Sequence, residues 1–393
     1  MKGIELRLPS EVTNTTLPRL GEYAIGLIGC GDLSDTTKIA LSVNSDNAIR
    51  IEGGHFVPSH EDVSNVGTIR ALAYGINDFY IKLTESTGRL IIEKGDNLVG
   101  FGEEGALFAS CQSEVNSPIP IINLDDLPIN LASINNSWAV IRGNIRELTK
   151  CKRLVYVNCQ KEYVGIQKAW LDTNPALENE WVTGSLPNYG QPGHVERIWP
   201  ELTRFNWQVR GSFSISLDAF LGCTKLDTLQ FYNSPFGTRT PSIRIEGGVD
   251  SLRECQILQF LTVDYAGIID AITGWTFVLG NIQTLFGITL PFNTLISGTI
   301  DGLPVNAQHI LLPANSVITG YASRTFIQQA NILLQSVNLT TAELDALLID
   351  TSKAIWVHPA VLALKGTRSS ASDAAVAALK AKPVSVYVNG VLL

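Results

Sequence analysis

The sequence predicts a multidomain protein, in which an N-terminal β-rich, sandwich-like module is followed by an irregular α/β solenoid built from repeats. Three observations support this fold class. The chain has 393 residues, which favours more than one domain. Short apolar runs alternate with turn residues over the first 125 residues, and a turn-then-strand motif recurs after them. Hydrophobic residues make up 45% of the chain, which excludes global disorder.

The N-terminal module is predicted from β-type runs at a regular cadence. The runs cover residues 38–43, 48–51, 79–83 and 89–93. Glycine, asparagine and aspartate separate them, as expected of turns between short strands. A Pro-marked segment at 117–127 ends this pattern. We therefore expect a β-rich attachment module over residues 1–125.

A repeated motif, C-x-x-L-x-x-[LV], defines the second domain over residues 126–393. It occurs at Cys151 and Leu154, at Cys223 and Leu226, and at Cys255 and Leu258. A helical turn is predicted before each copy, at 145–150, 217–222 and 249–254. In a stack of such coils the small cysteine fits inside the turn and the leucine points inward, so that neighbouring coils share one core.

The C-terminal segment shows a helix–strand–helix–strand order, over residues 339–348, 361–366, 372–382 and 384–388. Thr340 or Thr341 suits the first helix cap, and Ser370 or Ser372 the second. The second helix is expected to present one small apolar face to the core, formed by Ala374, Ala375, Ala378 and Leu379.

From about residue 128 to residue 393 the chain resembles leucine-rich-repeat proteins of the irregular kind, with a cysteine before the strand. Its last repeats, at 339–348, 361–366 and 372–389, resemble the closing repeats of bacteriophage tail and fibre proteins, notably those of Bacteroidetes phages. The repeat length varies, and the asparagine usual after the strand is mostly missing. The resemblance implies a leucine-rich-repeat-like solenoid and a structural role in a virion.

An aromatic insertion at 160–200 interrupts the repeats. Its candidate partner-binding residues are Trp170, Trp181, Tyr189 and Trp199. Aromatic rings stack on sugars and anchor protein interfaces, and insertions in repeat arrays often lie on the binding face. Burial of these rings in the first coils, or in a subunit contact, is the alternative.

Patterns for catalysis or cofactor binding are weak. Gly29 and Gly31 resemble the start of a dinucleotide fingerprint, but a strand-like run follows where a helix is required. His55 and His60 with Glu61 and Asp62 form the one cluster of candidate metal ligands, and an exposed polar loop is the favoured explanation for it. We therefore predict no enzyme activity, no cofactor and no metal.

Net charge and hydropathy restrict the classes of partner that the chain is expected to bind. The net charge of −8 argues against nucleic-acid binding, and the low charged fraction of 17% favours contact with other subunits, so we expect a homo-oligomer. Residues 271–292 carry no charge, but glycines, a proline and the absence of a basic flank argue against a membrane span. The N-terminus has no apolar signal region, which fits assembly in a host cytoplasm.

These patterns predict a non-enzymatic structural or adhesion protein of a bacteriophage virion. The N-terminal module would dock to other virion proteins, and the solenoid would contact a host-surface glycan or protein, as in a tail fibre or receptor-binding protein. The alternative is a leucine-rich-repeat adhesin of the bacterial surface, or a component of a phage-like contractile injection system.

Overall fold

The computed structural model describes residues 21–28, 37–43, 47–57, 68–71, 75–85, 87–101, 119–136, 140–159, 182–186, 198–207, 211–232, 242–264, 271–282, 284–289, 295–312, 317–335 and 337–393. Strands predominate among these residues. The α-helices are few, namely α1 (Thr276–Gly280), α2 (Thr341–Lys353) and α3 (Asp373–Lys380). Internal contacts divide the chain into a first unit, residues 1–185, 207–213 and 234–241, and a second unit, residues 186–206, 214–233 and 242–393.

The first unit begins with antiparallel strands. They are β1 (Tyr23–Ile28), β2 (Thr37–Val43), β3 (Asn47–Glu52), β4 (Gly54–Val57), β5 (Thr68–Ala71), β6 (Gly75–Leu83), β7 (Thr87–Ile92) and β8 (Leu98–Phe101). Strand β1 pairs with β7, and β2 pairs with both β6 and β8, all antiparallel. The β-type runs predicted at 38–43, 48–51, 79–83 and 89–93 therefore lie in strands β2, β3, β6 and β7, apart from residue 93.

The same unit then changes to parallel pairing. Its later strands are β9 (Ile119–Asn123), β10 (Ser133–Asn136), β11 (Val140–Asn144), β12 (Tyr156–Cys159) and β13 (Val182–Leu186). Strand β10 pairs in parallel with β8 and β12, and β11 with β9 and β13. The change of direction lies near the predicted domain border at residue 125, whereas the contact units divide near residue 185. The border stays a prediction.

The second unit is a solenoid with two sheets of mostly parallel strands. The first sheet contains β15 (Gly211–Ser216), β17 (Ser242–Gly248), β19 (Ala271–Trp275), β21 (Leu295–Gly298) and β23 (Val317–Ile318). The second contains β14 (Arg204–Trp207), β16 (Thr228–Tyr232), β18 (Phe260–Asp264), β20 (Gly287–Thr289), β22 (His309–Leu311), β24 (Gln328–Leu333), β25 (Ile355–Leu364), β26 (Val384–Val388) and the antiparallel β27 (Val391–Leu392). Each regular coil places one strand in each sheet.

A three-residue spacing fixes the interior of each coil. The amide N–H of Leu226 donates to the carbonyl of Cys223 at 3.0 Å, and Leu258 donates to Cys255 in the same way. The same bond recurs in coils without cysteine, where Trp199, Ile282 and Pro304 accept from Leu202, Leu285 and Ala307. Three residues further on, every coil places one more apolar side chain in the core, namely Phe205, Leu229, Leu261, Ile288 and Ile310. These shared positions form the continuous core that a stacked repeat requires.

The helical turns predicted before the strands are 3₁₀ turns, at Ile145–Lys150, Leu217–Phe220 and Val249–Leu252. Asn144 and Ser216 cap the first two, because their side-chain oxygens accept a hydrogen bond from the backbone N–H two residues ahead. Turns of four to six residues are too short for a stable α-helix, and 3₁₀ geometry is common in pieces of this length.

The C-terminal coils contain longer helices. Helix α2 begins at a capping box, in which Thr340 and Glu343 exchange hydrogen bonds with each other's backbone N–H. Helix α3 and strand β26 follow in the predicted order. The core face of α3 differs from the prediction: Ala375, Val376 and Leu379 are buried, whereas Ala374 and Ala378 are exposed. The buried stripe is therefore shifted toward the larger valine.

Candidate binding surface

Alternation along the second-unit strands separates a core face from an outward face. Leu261, Ile288 and Ile310 point inward and are fully buried. Because successive side chains of a strand point to opposite faces, the residues on either side of these three point outward. Register pairs Leu261 with Ile288 and Ile288 with Ile310, so the outward residues also form rows from strand to strand.

One outward row is aromatic. Phe260 pairs with Gly287, Gly287 with His309, and His309 with Asn331. Phe286, which immediately precedes β20, lies between the two rings of this row. Its ring centroid is 5.6 Å from that of Phe260 and 5.6 Å from that of His309. We call Phe260, Phe286, His309 and Asn331 the aromatic ridge.

The ridge is half-buried and tightly packed. The ring planes meet at 63° for Phe260 and Phe286 and at 50° for Phe286 and His309, which are favourable tilted arrangements. Gly287 makes this packing possible, because a Cβ atom on it would lie 3.2 Å from the Phe260 ring. All four ridge side chains remain partly exposed to solvent.

Electrostatics favour a neutral ring at His309. Its Nδ1 atom lies 3.3 Å from Nδ2 of Asn331, and this contact is a hydrogen bond in the neutral tautomer in which Nδ1 accepts from the amide. Burial lowers the pKa of His309 from its ordinary value of 6.5. At neutral pH the ridge is therefore uncharged.

A second outward row lies beside the ridge. It contains Gln230, Thr262, Thr289, Leu311 and Leu333, which are linked in register across five strands. All five are half-buried. Neither the ridge nor this row contains an aspartate, glutamate, lysine or arginine. The two rows thus combine aromatic, amide, hydroxyl and aliphatic groups without charge.

Two pairs of charged residues lie near the start of the second unit, outside these two rows. Lys225 pairs with Glu201, and Arg204 lies 3.9 Å from Asp227. All four side chains are at least 37% exposed. Surface pairs of this kind contribute little to stability.

The prediction for Trp199 as a partner-binding residue is wrong. Its side chain is fully buried, and its ring lies 5.9 Å from that of Phe205 and 6.0 Å from that of Phe220. Trp199 occupies the position that Cys223 has in the next coil, and the Cys223 thiol donates to its carbonyl at 3.3 Å. A ring at this position fills the coil and is unavailable to a partner. Trp170, Trp181 and Tyr189 lie outside the described residues.

The cysteines of the repeat motif lie in the core. Cys151, Cys223 and Cys255 are fully buried, as are Leu154, Leu226 and Leu258 of the same motif. Burial raises the pKa of the Cys151 and Cys255 thiols to about 12. A thiol that stays protonated at neutral pH is a poor nucleophile and a poor metal ligand. These cysteines therefore act as small apolar side chains.

The described residues contain no group of three or more His, Cys, Asp or Glu side chains suited to a metal ion. His55 is described, but the rest of the predicted cluster lies outside the described residues. None of the helices in the described part of the chain has the length and apolar character needed to cross a bilayer.

Sequence analysis missed the ridge itself. Phe260 and His309 each precede an inward residue of the repeat, so their outward direction follows once the coil register is known. The repeat motif specifies its cysteine, its leucine and its final apolar residue, whereas Phe260 stands at a variable position just before the last of these. Phe286 has the weaker signal, because it lies outside a strand.

No protein-family model matches this sequence, and no curated protein matches it. Among solved structures, the plant peptide hormone receptor RGFR1 in complex with RGF2 is 14% identical, with a TM-score of 0.39; the match covers 67% of this chain and 37% of that one. The crystal structure of PEPR1–AtPEP1 is 14% identical, with a TM-score of 0.24, and the match covers 62% of this chain and 44% of that one. The chain spans less than half of either matched chain, and similarity this distant identifies no family.

Proposed function

We propose that this chain is a non-enzymatic binding protein that contacts its partner through the aromatic ridge. The observation that supports this most directly is a row of partly exposed rings built around Phe260, Phe286 and His309, beside a row without charged residues. Clustered aromatic side chains with polar neighbours are typical of binding surfaces, because they bury apolar area and still form hydrogen bonds.

The arrangement suits contact better than catalysis. The ridge and its neighbouring row present rings, amides and hydroxyls, and the described side chains there include no carboxylate or thiol. His309 is the one titratable ridge side chain, and its described neighbours, Phe286 and Asn331, do not form a nucleophile–base pair with it. The parallel strands hold these groups in fixed register, which limits the conformational entropy lost on binding.

We place this activity in a bacteriophage virion, as a tail-fibre or receptor-binding type of protein. The similarity of the last repeats to those of phage tail proteins, stated above, supports this assignment. In this proposal the N-terminal module, with its strands arranged as a sandwich, docks to other virion proteins, and several copies assemble into a homo-oligomer. A surface adhesin or an injection-machine component would use the same ridge.

The proposal is tested by binding of the fluorescently labelled chain to a panel of bacterial strains, including Bacteroidetes. The double variant Phe286→Ser with His309→Ser removes two rings from the exposed face. Ile355→Ser is the matched control, because Ile355 is 65% exposed in the same unit and lies outside the ridge. Strain-specific binding that the double variant loses and the control retains supports the proposal. Equal binding by all three proteins, at equal melting temperatures, contradicts it.

A further inference from the structure

The chemistry of the outward face restricts the class of ligand that it can bind. Binding through charge would need arginine, lysine, aspartate or glutamate, and neither the ridge nor the neighbouring outward row contains one. His309 adds no charge at neutral pH, because its Nδ1 faces the donor of Asn331 and no described carboxylate on these strands faces the ring. The ligand that fits this face is therefore uncharged.

The face offers two kinds of contact side by side. The Phe260 and Phe286 rings offer apolar surface, which packs against C–H groups. Thr262 and Thr289, in the neighbouring row, offer hydroxyls, and Asn331 offers an amide. Each hydroxyl and amide can both donate and accept a hydrogen bond. A ligand that matches this face has C–H faces and many hydroxyls along one chain.

The spacing of the contacts is also informative. They recur once per strand, and adjacent strands lie about 4.8 Å apart, which is close to the length of one sugar ring in a chain. We propose that the aromatic ridge binds an uncharged oligosaccharide that runs across the strands, with its ring faces on Phe260 and Phe286 and its hydroxyls on Thr289, His309 and Asn331. This inference rests on the function proposed above and names the ligand class of the same surface.

The test uses the strain that binds the chain best and treats its cells in two ways. Mild periodate cleaves vicinal diols and so destroys sugar rings, whereas protease removes surface proteins. We expect periodate to abolish ridge-dependent binding and protease to leave it largely intact. Binding should also persist at about 1 M salt, where interactions between charged groups are screened. Loss with protease alone, or loss at high salt, overturns the inference.

A second experiment titrates the purified chain with defined oligosaccharides. The neutral probes are maltohexaose, cellohexaose and chitohexaose, and hexagalacturonic acid is the charged counterpart. Saturation-transfer NMR should show contact of a neutral hexamer, and Phe286→Ala should weaken it about tenfold or more, which corresponds to about 1.4 kcal/mol. Preference for the acidic hexamer contradicts the inference.

The two proposals fail in distinguishable ways. If ridge variants lose cell binding but periodate has no effect, the binding function stands and the oligosaccharide is wrong. If no strain shows ridge-dependent binding and no hexamer contacts the chain, both are wrong. The control Ile355→Ser accompanies every measurement, so that a general loss of folding is recognised by loss of binding in the control as well.

Discussion

Gly247 lies against the side chain of Ser216, the residue that caps the 3₁₀ turn of the preceding coil. A Cβ atom on Gly247 would come within 2.7 Å of the Ser216 hydroxyl, and Gly247 has a φ of +94°. The contact links neighbouring coils at a point where both space and backbone conformation require glycine.

The substitution Gly247→Ala should therefore destabilise the chain in two ways. The positive φ costs about 1–2 kcal/mol for a residue with a Cβ, and displacement of the Ser216 cap adds about 1 kcal/mol. Gly390→Ala is the matched control, because Gly390 has a φ of +77° and open space around its Cβ position. Urea denaturation of both variants separates the two costs, and equal losses would show that the contact with Ser216 is unimportant.

Leu226→Ala removes a fully buried side chain from the repeat core. We expect a loss of about 2–5 kcal/mol in the free energy of unfolding, because the rigid coil cannot collapse onto the cavity. Ile257→Ala serves as the control, since Ile257 is 47% exposed and should change stability little. Chemical denaturation measures both, and a comparable loss in the two variants would contradict the assigned core.

The repeat thiols should react slowly in the native protein. Burial raises the pKa of Cys151 and Cys255 to about 12, and Cys223 is equally inaccessible. We expect labelling of these three by a maleimide to need unfolding, with rates that rise sharply in urea. Peptide mapping after timed labelling assigns each site. Rapid native labelling at any of them would show that its coil is open.

Lys382 caps helix α2 from a distant part of the chain. Its ammonium group donates to the carbonyls of Ser352 at 2.5 Å and Ala354 at 2.7 Å. A cation is favourable where unpaired carbonyls end a helix, so Lys382→Met should cost about 1 kcal/mol. Lys365→Met, at an exposed position outside the helices, is the control and should be nearly neutral. Thermal unfolding of the two variants compares them, and indistinguishable melting would refute the cap.

Two carboxylates of α2 make the C-terminal coils sensitive to acid. Burial opposes ionisation of Asp345, but hydrogen bonds from Ser369 and Ser372 outweigh it and hold the pKa below its ordinary 3.8. Burial likewise opposes ionisation of Asp350, and hydrogen bonds from Lys353 and Tyr321 lower its pKa. Both groups are therefore more acidic in the folded chain than in the unfolded chain.

The sign of the pH dependence follows from this difference. A carboxylate with a lowered folded pKa stabilises the protein at neutral pH, and the stabilisation is lost as pH falls below the unfolded value near 3.8. Asp345→Asn should lower the melting temperature at about pH 7 and reduce the further loss at about pH 3. Asp373→Asn, on the exposed side of α3, is the control. Identical acid profiles for the native chain and Asp345→Asn would be contrary to this account.

Local signals in the sequence determined the coil interior. Each coil needs a small or apolar residue, then a leucine three positions later, then an apolar residue three positions after the leucine. All three positions belong to one turn and the strand that follows it. The pattern therefore located Cys223, Leu226 and Leu229 without knowledge of other coils. A helix cap at Thr340 or Thr341 was expected for the same reason, because a cap depends on residues close in sequence, and the structure shows that Thr340 is the cap.

The tertiary structure decided which aromatic residues are buried and which are exposed. The sequence predicted a partner-binding role for Trp199, but its place in the coil brings it against Phe205 and Phe220 in the core. Phe260 and His309 are separated widely in sequence and become neighbours of Phe286 only when the coils stack in register. Burial and neighbourhood depend on contacts between coils, which no single stretch of sequence contains, and for that reason the ridge emerged only from the fold.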